Sequence, residues 1–367
     1  MTPDPGLASW LQLSLTPGLG AATIRSLLKQ FGLPQAMLAR RDAELASVVG
    51  HPAVQAMRSP RVADSVERAL QWAADPDHYV ITLADEIYPR GLLEIGDPPP
   101  VLYAHGQIGL LAQPALAIVG SRNGTAQGVR NAEQFASALG DAGLTIVSGL
   151  ALGIDAAAHR GGLASRNSTI AVLGTGIDIV YPTRNAELAA EIARRGLLVS
   201  EFALGTPAVA HNFPRRNRLI SGLARGCLVV EAALESGSLI TARCAADQGR
   251  DVFAIPGSIH SPLSKGCHAL IKTGAKLVES AEDVLAELAG FRASGFANAA
   301  TTATSSEPDT GVLAVMGHDP VDVDSLCARA GMSAEQVASE LLRLELDGRV
   351  TALPGGLYQR LEKAQRG

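Results

Sequence analysis

The 367-residue chain has only four cysteines, at positions 227, 244, 267 and 327, and none belongs to a CxxC pair or a Cys/His grouping. Zinc sites are built from such spacings, so a reduced, metal-free chain is expected. No run of eighteen apolar residues occurs, and the opening MTPDPGLASW lacks the basic-then-apolar layout of a secretion signal. This predicts no membrane segment and a cytoplasmic location. Aromatics make up 4% of the residues, so stacking platforms are scarce. A formal net charge of −5 argues against a protein coated in phosphate-binding charge. Two nucleotide-binding signatures are also missing. The chain offers GSRNGTAQG, with glycines at 120, 124 and 128, where GxGxxG would be needed, and GxxxxGK[ST] is nowhere present. No cofactor is expected, and ATP hydrolysis and nicotinamide chemistry lose their usual support.

The chain does have a hydrophobic content of 47% with 18% charged residues, at a length that suits two or three globular domains. Residues 1–75 read as helical. In TPGLGAATIRSLLKQFG (Thr16 to Gly32), Pro17, Gly18 and Gly20 make a turn, and Ile24, Leu27, Leu28 and Phe31 recur at helical spacing. The segment is similar to a helix-hairpin-helix, which offers backbone N–H groups to a DNA phosphate, or it is a small helical domain with Arg25 and Lys29 as its nearby charge. From Leu116 to Gly290, the apolar runs ALAIVGS, LTIVSGL, STIAVLG, LLVSEF, CLVVEAA, DVFAIPG and AKLVES alternate with helical segments. Continuous apolar strands alternating with helices predict a doubly wound, mostly parallel, Rossmann-like α/β sheet, assigned with its Pro-rich lead-in to residues 76–290. Residues 291–311 are small, polar and aperiodic, and read as a linker. Residues 312–367 show three helical segments and a hairpin, RVTALPGGLYQR, the order of a winged helix. Seven acids against four arginines between residues 312 and 360, with Glu335 and Glu340 on the would-be recognition helix, argue against a DNA reader. A protein-contact or regulatory module, or a simple packing appendage, fits better.

Positive charge is concentrated elsewhere. Between Gly205 and Ala275, eight bases face four acids, leaving +4 in that segment and −9 in the rest. Arg215, Arg216 and Arg218 crowd into NFPRRNRLISG, read as a long loop after the fourth parallel strand. Open parallel sheets bind ligands beyond the carboxyl ends of their strands. Those ends include Gly120-Ser121-Arg122, Ser148-Gly149-Leu150, Gly174-Thr175-Gly176 and Ser236-Gly237-Ser238. Glycine admits close backbone approach, and a helix start donates N–H groups to phosphate oxygens, so Gly120, Ser121, Arg122, Gly237 and Ser238 with the arginine cluster read as an anion cradle. Catalytic groups are harder to assemble. Asp155 and His159 stand one helical turn apart but read as a cap and a packed helix residue, and Glu201 and Glu231 at strand ends read as braces for the arginines.

The blocks GSR (120–122), SGLALGIDAAAH (148–159), TIAVLGTGIDIVYPTRN (169–185), LLVSEFALGT (197–206), FPRRNRLISGL (213–223), VVEAALESGSLITA (229–242), GRDVFAIPG (249–257) and SKGCHALIKTGA (264–275) resemble the DNA-processing family DprA, also called Smf. The resemblance implies a non-catalytic protein that binds single-stranded DNA, forms homodimers and loads the RecA recombinase onto incoming strands in natural transformation. It carries binding roles over to Arg122, Phe213, Arg216, Asn217, Arg218 and Lys265. Arg215 stands at a variable position of its block, and Lys272 is the second base in the last one. A hydrolase resembling the LOG phosphoribohydrolases is the alternative, but their PGGxGTxxE string has only EAALESGSLITA as a counterpart, which does not match.

Overall fold

Nine short strands organise the larger part of the computed structural model, which describes residues 5–288 and 310–361. They are β1 (His78–Thr82), β2 (Val101–Gly106), β3 (Ala115–Val119), β4 (Thr145–Ser148), β5 (Thr169–Val172), β6 (Leu197–Ser200), β7 (Gly226–Val229), β8 (Asp251–Ala254) and β9 (Lys276–Leu277). Their order across the sheet is β1-β2-β6-β5-β4-β3-β7-β8-β9. β3 to β9 are mutually parallel, as the apolar runs predict, and β1 and β2 add an antiparallel edge drawn from the Pro-rich passage.

Side chains alternate between two cores, as a sheet covered on both faces requires. Leu102, Ala104, Val119, Ile170, Val172, Leu197 and Val199 belong to one core. Val101, Tyr103, Ala171 and Leu198 belong to the other, together with Trp10, Leu11 and Ala69 from the N-terminal helices. Those helices also build a core of their own from Leu13, Ile24, Leu27, Met37, Leu45 and Met57. Helices and sheet together form one compact unit. Arg25, a charge considered for DNA phosphate, instead pairs with Asp97 at 3.0 Å and donates to the Gly96 carbonyl at 2.9 Å.

One segment departs from expectation. NFPRRNRLISG is not a loop: Asn212–Leu223 is a helix. Its buried positions include Asn212, Arg216, Leu219 and Ile220, a helical stripe that contains polar residues and so escapes a hydrophobic-periodicity reading. Pro214 sits in the first turn, where its missing N–H costs nothing. Leu219 and Ile220 are buried in the core on that face.

The second unit has the winged-helix layout. Helices Val312–Met316, Val323–Ala330 and Ala334–Leu346 precede the hairpin of β11 (Val350–Leu353) and β12 (Leu357–Arg360). A short strand, β10 (Val321–Asp322), pairs with β12 and was not evident in the sequence. Gly355 and Gly356 turn the hairpin with φ of 87° and 73°, where a side chain would be strained. Val312, Leu326, Val337, Leu341 and Val350 fill its core. The linker expected at 291–311 lies almost wholly outside the described residues.

Candidate nucleic-acid interface

The strand order reverses direction between β3 and β7. From β3 the chain adds β4, β5 and β6 on one side, then returns to place β7 on the other. Loops leaving two such strands diverge and open a crevice, the usual ligand position in this class of sheet. A crevice of about 840 Å³ lies there, lined by residues that include Gly120, Ser121, Arg122, Phe213, Arg216, Asn217, Gly237 and Ser238. The structure therefore brings eight of the twelve expected residues to one opening. Asp155 and Tyr181 line it too, and Tyr181 was not singled out although it falls inside the block TIAVLGTGIDIVYPTRN.

The arginines divide into different roles. Arg122 is exposed, makes no ion pair among the described residues, and holds its guanidinium 5.9 Å from the centre of the Phe213 ring. Arg216 is 5% exposed and donates to the carbonyls of Gly149, at 2.8 Å, and Val172, while its Nε donates to Asn217 at 3.1 Å. Asp155 accepts from the Gly149 N–H at 3.1 Å beside it. Burial drives the Asp155 pKa up and that of Arg216 down to about 10, and the attraction between the two offsets part of each shift. Arg216 is thus an internal strut reaching under the crevice. Arg215 and Arg218 both donate to one oxygen of Glu201, at 3.0 and 2.6 Å, and Arg218 also lies 3.5 Å from Asp97. The Glu201 side chain is 2% exposed. Burial raises its pKa against the opposing pull of Arg218 and Arg215.

Neither Arg215, Arg218, Lys265 nor Lys272 lines the crevice. Lys265 is exposed at the start of helix Lys265–Lys272, two residues beyond the lining residue Leu263. Lys272 ends that helix, about 10 Å further along its axis at 1.5 Å per residue.

Several glycines serve a purpose other than ligand approach. A Cβ on Gly174 would meet the Phe213 ring at 2.7 Å, and one on Gly149 would meet both Arg216 and Asp155 within 2.8 Å. A Cβ on Gly120 would meet Ile154 at 2.7 Å. At these three positions glycine leaves room for the protein's own side chains rather than for a ligand. Gly237 alone among the four has nothing within 4 Å of the Cβ position, and it opens helix Ser238–Asp247. There the crevice wall admits a ligand up to the backbone.

Among the described residues that line the crevice there is no Cys, His or Lys. His159 is fully buried: its Nε2 accepts from the Leu150 N–H at 3.2 Å and its Nδ1 lies 2.8 Å from the Thr169 hydroxyl, which donates to Ile146. Burial pushes its pKa down to about 3. Cys227 and Cys267 are buried, and burial pushes both thiols up to about 12, well away from reactive thiolates. Among the described residues no group of three or more His, Cys, Asp or Glu could hold a metal ion, and no helix is long and apolar enough to cross a membrane.

Comparison with known proteins matches this geometry to a family. The sequence model described as DNA recombination-mediator protein A matches residues 79–289, and that of the DprA winged helix domain matches residues 296–356. Protein Smf of Escherichia coli (strain K12) is 45% identical over 308 residues, 82% of each chain. The X-ray structure of DNA processing protein A from Streptococcus pneumoniae superposes with a TM-score of 0.67 at 39% identity, covering 78% of this chain and 99% of that one. A structure of DNA processing protein A from Helicobacter pylori, described by its single-stranded DNA binding mode, has a TM-score of 0.52 at 31% identity and covers 57% of this chain and 95% of that one.

Proposed function

The chain belongs to the DNA recombination-mediator protein A family, DprA or Smf, and on that premise we propose that it binds single-stranded DNA without regard to sequence and delivers it to the RecA recombinase. The observation that carries the reading is the crevice at the β3–β7 switch point, with exposed Arg122 on one wall and the open helix start at Gly237 on the other. Backbone N–H groups and a guanidinium grip phosphate oxygens and read no base edge, so binding is sequence-tolerant and salt-sensitive. A crevice between loops also admits a flexible strand more easily than a rigid duplex. Phe213, held between Gly174 and Arg122, offers a base one aromatic surface. Lys265 extends the positive track beyond the crevice, and Lys272 lies farther out as supporting charge. Gly120, Ser121 and Ser238 shape the wall, while Arg216 and Asn217 hold the floor.

The protein is a binding module rather than an enzyme in this reading, because Asp155 and His159 are engaged by the fold itself. It acts as a homodimer in the cytoplasm during natural transformation or recombinational repair. The exposed edge strand β9, where Leu277 is open to solvent, supplies a pairing surface for a second copy. The test is fluorescence anisotropy of a labelled oligo-dT with wild type and the Arg122→Ala, Lys265→Ala double variant across a salt series. We expect at least a tenfold loss at moderate salt, spread evenly over sequences, with a log K against log salt slope shallower by about two. An unchanged affinity sinks the proposed site. A wild-type protein that leaves the lag of RecA filament growth on coated single strands unaltered sinks the loading role. Release of free base from a nucleoside monophosphate would favour the LOG-like hydrolase.

A further inference from the structure

Among the described residues, four of the eleven exposed large apolar side chains come from the loops around the crevice. Tyr181 is 46% exposed, Val209 37%, Leu234 61% and Ile259 67%. They come from the four successive loops that leave β5, β6, β7 and β8 at their carboxyl ends. Tyr181 lines the crevice directly. Val209 is bracketed by the lining residues Ala208 and Ala210, and Leu234 by Ala233 and Glu235. Ile259 tops the loop that closes between Gly257 and Ser264, where a Cβ on Gly257 would sit 2.3 Å from the Ser264 hydroxyl, next to the lining residue Leu263.

One exposed apolar residue is ordinary. Four, one from each of the loops that line a single opening, are placed to rim it, Tyr181 as a lining residue and the other three on the same loops as lining residues. Inside it the crevice presents polar groups, among them Ser121, Asn123, Asn217 and Ser236, beside the cationic Arg122. The crevice thus holds polar and cationic groups alongside apolar ones such as Ile220 and Ile240, with a further apolar set at its mouth. It suits a chain whose charged backbone lies at the floor and whose flat apolar groups point outward. The basic excess of residues 205–275 selects a polyanion for that backbone.

We propose that the rim formed by Tyr181, Val209, Leu234 and Ile259 is a second, base-contacting site, on which the unstacked bases of a bound single strand lie while its phosphates occupy the crevice. The inference rests on the single-strand reading above and adds to it. Bases contact the rim through their faces, so every base is accepted and affinity gains without sequence preference. It also explains how a chain with few aromatics holds bases: three of the four contacts are aliphatic.

The test uses the full chain with Val209→Ser, Leu234→Ser and Ile259→Ser combined. Tyr181 is left in place because its ring lies 5.5 Å from that of Phe213. Anisotropy is measured with labelled oligo-dT and with an abasic oligomer of the same length, at several salt concentrations. Wild type should bind oligo-dT more tightly than the abasic strand. The triple variant should lose about tenfold for oligo-dT, keep its abasic affinity and keep the wild-type salt slope. Equal losses on both strands, or no loss on either, overturn the rim as a base site. Unchanged DNA binding with impaired RecA filament growth would assign the rim to a protein partner and overturn it as well. If wild type binds neither strand, the single-strand reading itself fails, and Arg122→Ala will also be without effect.

Discussion

The guanidinium of Arg216 donates to the carbonyl of Gly149 at 2.8 Å, reaching from one element to the loop after β4 across 67 residues of sequence. Asp155 shares the same corner, and glycine at 149 leaves room for both side chains. Arg216→Ala should therefore weaken folding, by about 3–5 kcal/mol, since it strands a buried carboxylate. Urea unfolding checks this. A stable variant that loses only DNA affinity would return Arg216 to the ligand-binding set.

Gly174 and Gly237 should respond in opposite ways. In Gly174→Ala the new methyl meets the Phe213 ring at 2.7 Å, so the ring or the strand end shifts, at a cost of about 1–3 kcal/mol. Gly237→Ala meets nothing within 4 Å at a φ of −61°, and should be neutral or stabilise by about 0.4–1 kcal/mol. Thermal melts separate the two. Oligo-dT affinity should fall in both, through the displaced Phe213 in one and an obstructed approach to the helix start in the other.

His159 gives the fold a pH dependence of definite sign. With its Nε2 accepting from Leu150, the ring is neutral in the folded state, and burial holds its pKa at about 3 against 6.5 in the reference state. Between those values the unfolded chain binds the extra proton. Its contribution to stability is complete above pH 6.5 and is lost as pH falls toward 3, at up to about 1.4 kcal/mol per pH unit. Urea midpoints at pH 7 and pH 5 should differ more in wild type than in His159→Gln. Equal differences would show that another group carries the slope.

Glu201 should restrain DNA binding through Arg215. The two arginines share one carboxylate oxygen, and the other oxygen is buried with no hydrogen bond among the described residues. Glu201→Gln keeps the shape and removes the charge, for about 1–3 kcal/mol of stability. It should leave the exposed Arg215 available to a phosphate, raising oligo-dT affinity severalfold and steepening the salt slope by about one. A slope equal to that of wild type would exclude Arg215 from the strand's path.

The sequence by itself determined the parallel sheet, because strands covered on both faces must be apolar throughout, and runs such as ALAIV and GCLVV display that locally. It determined the winged-helix order for a similar reason: helix periodicity and a Pro-Gly-Gly turn are local properties. It also marked Arg122 and Gly237 as expected site residues, through the glycine and charge that strand ends require, and Phe213 through the family resemblance. Only the tertiary structure decided that β7 lies beside β3, which is what opens the crevice, since strand order depends on contacts between residues distant in sequence. Only the structure separated the arginines. NFPRRNR reads as uniformly basic, yet helical spacing turns Arg216 inward beneath Gly149 while Arg215 and Arg218 converge on the buried Glu201. Burial, partner and exposure decide which charge can meet a phosphate, and none of the three is a property of the residue's own neighbourhood in the chain.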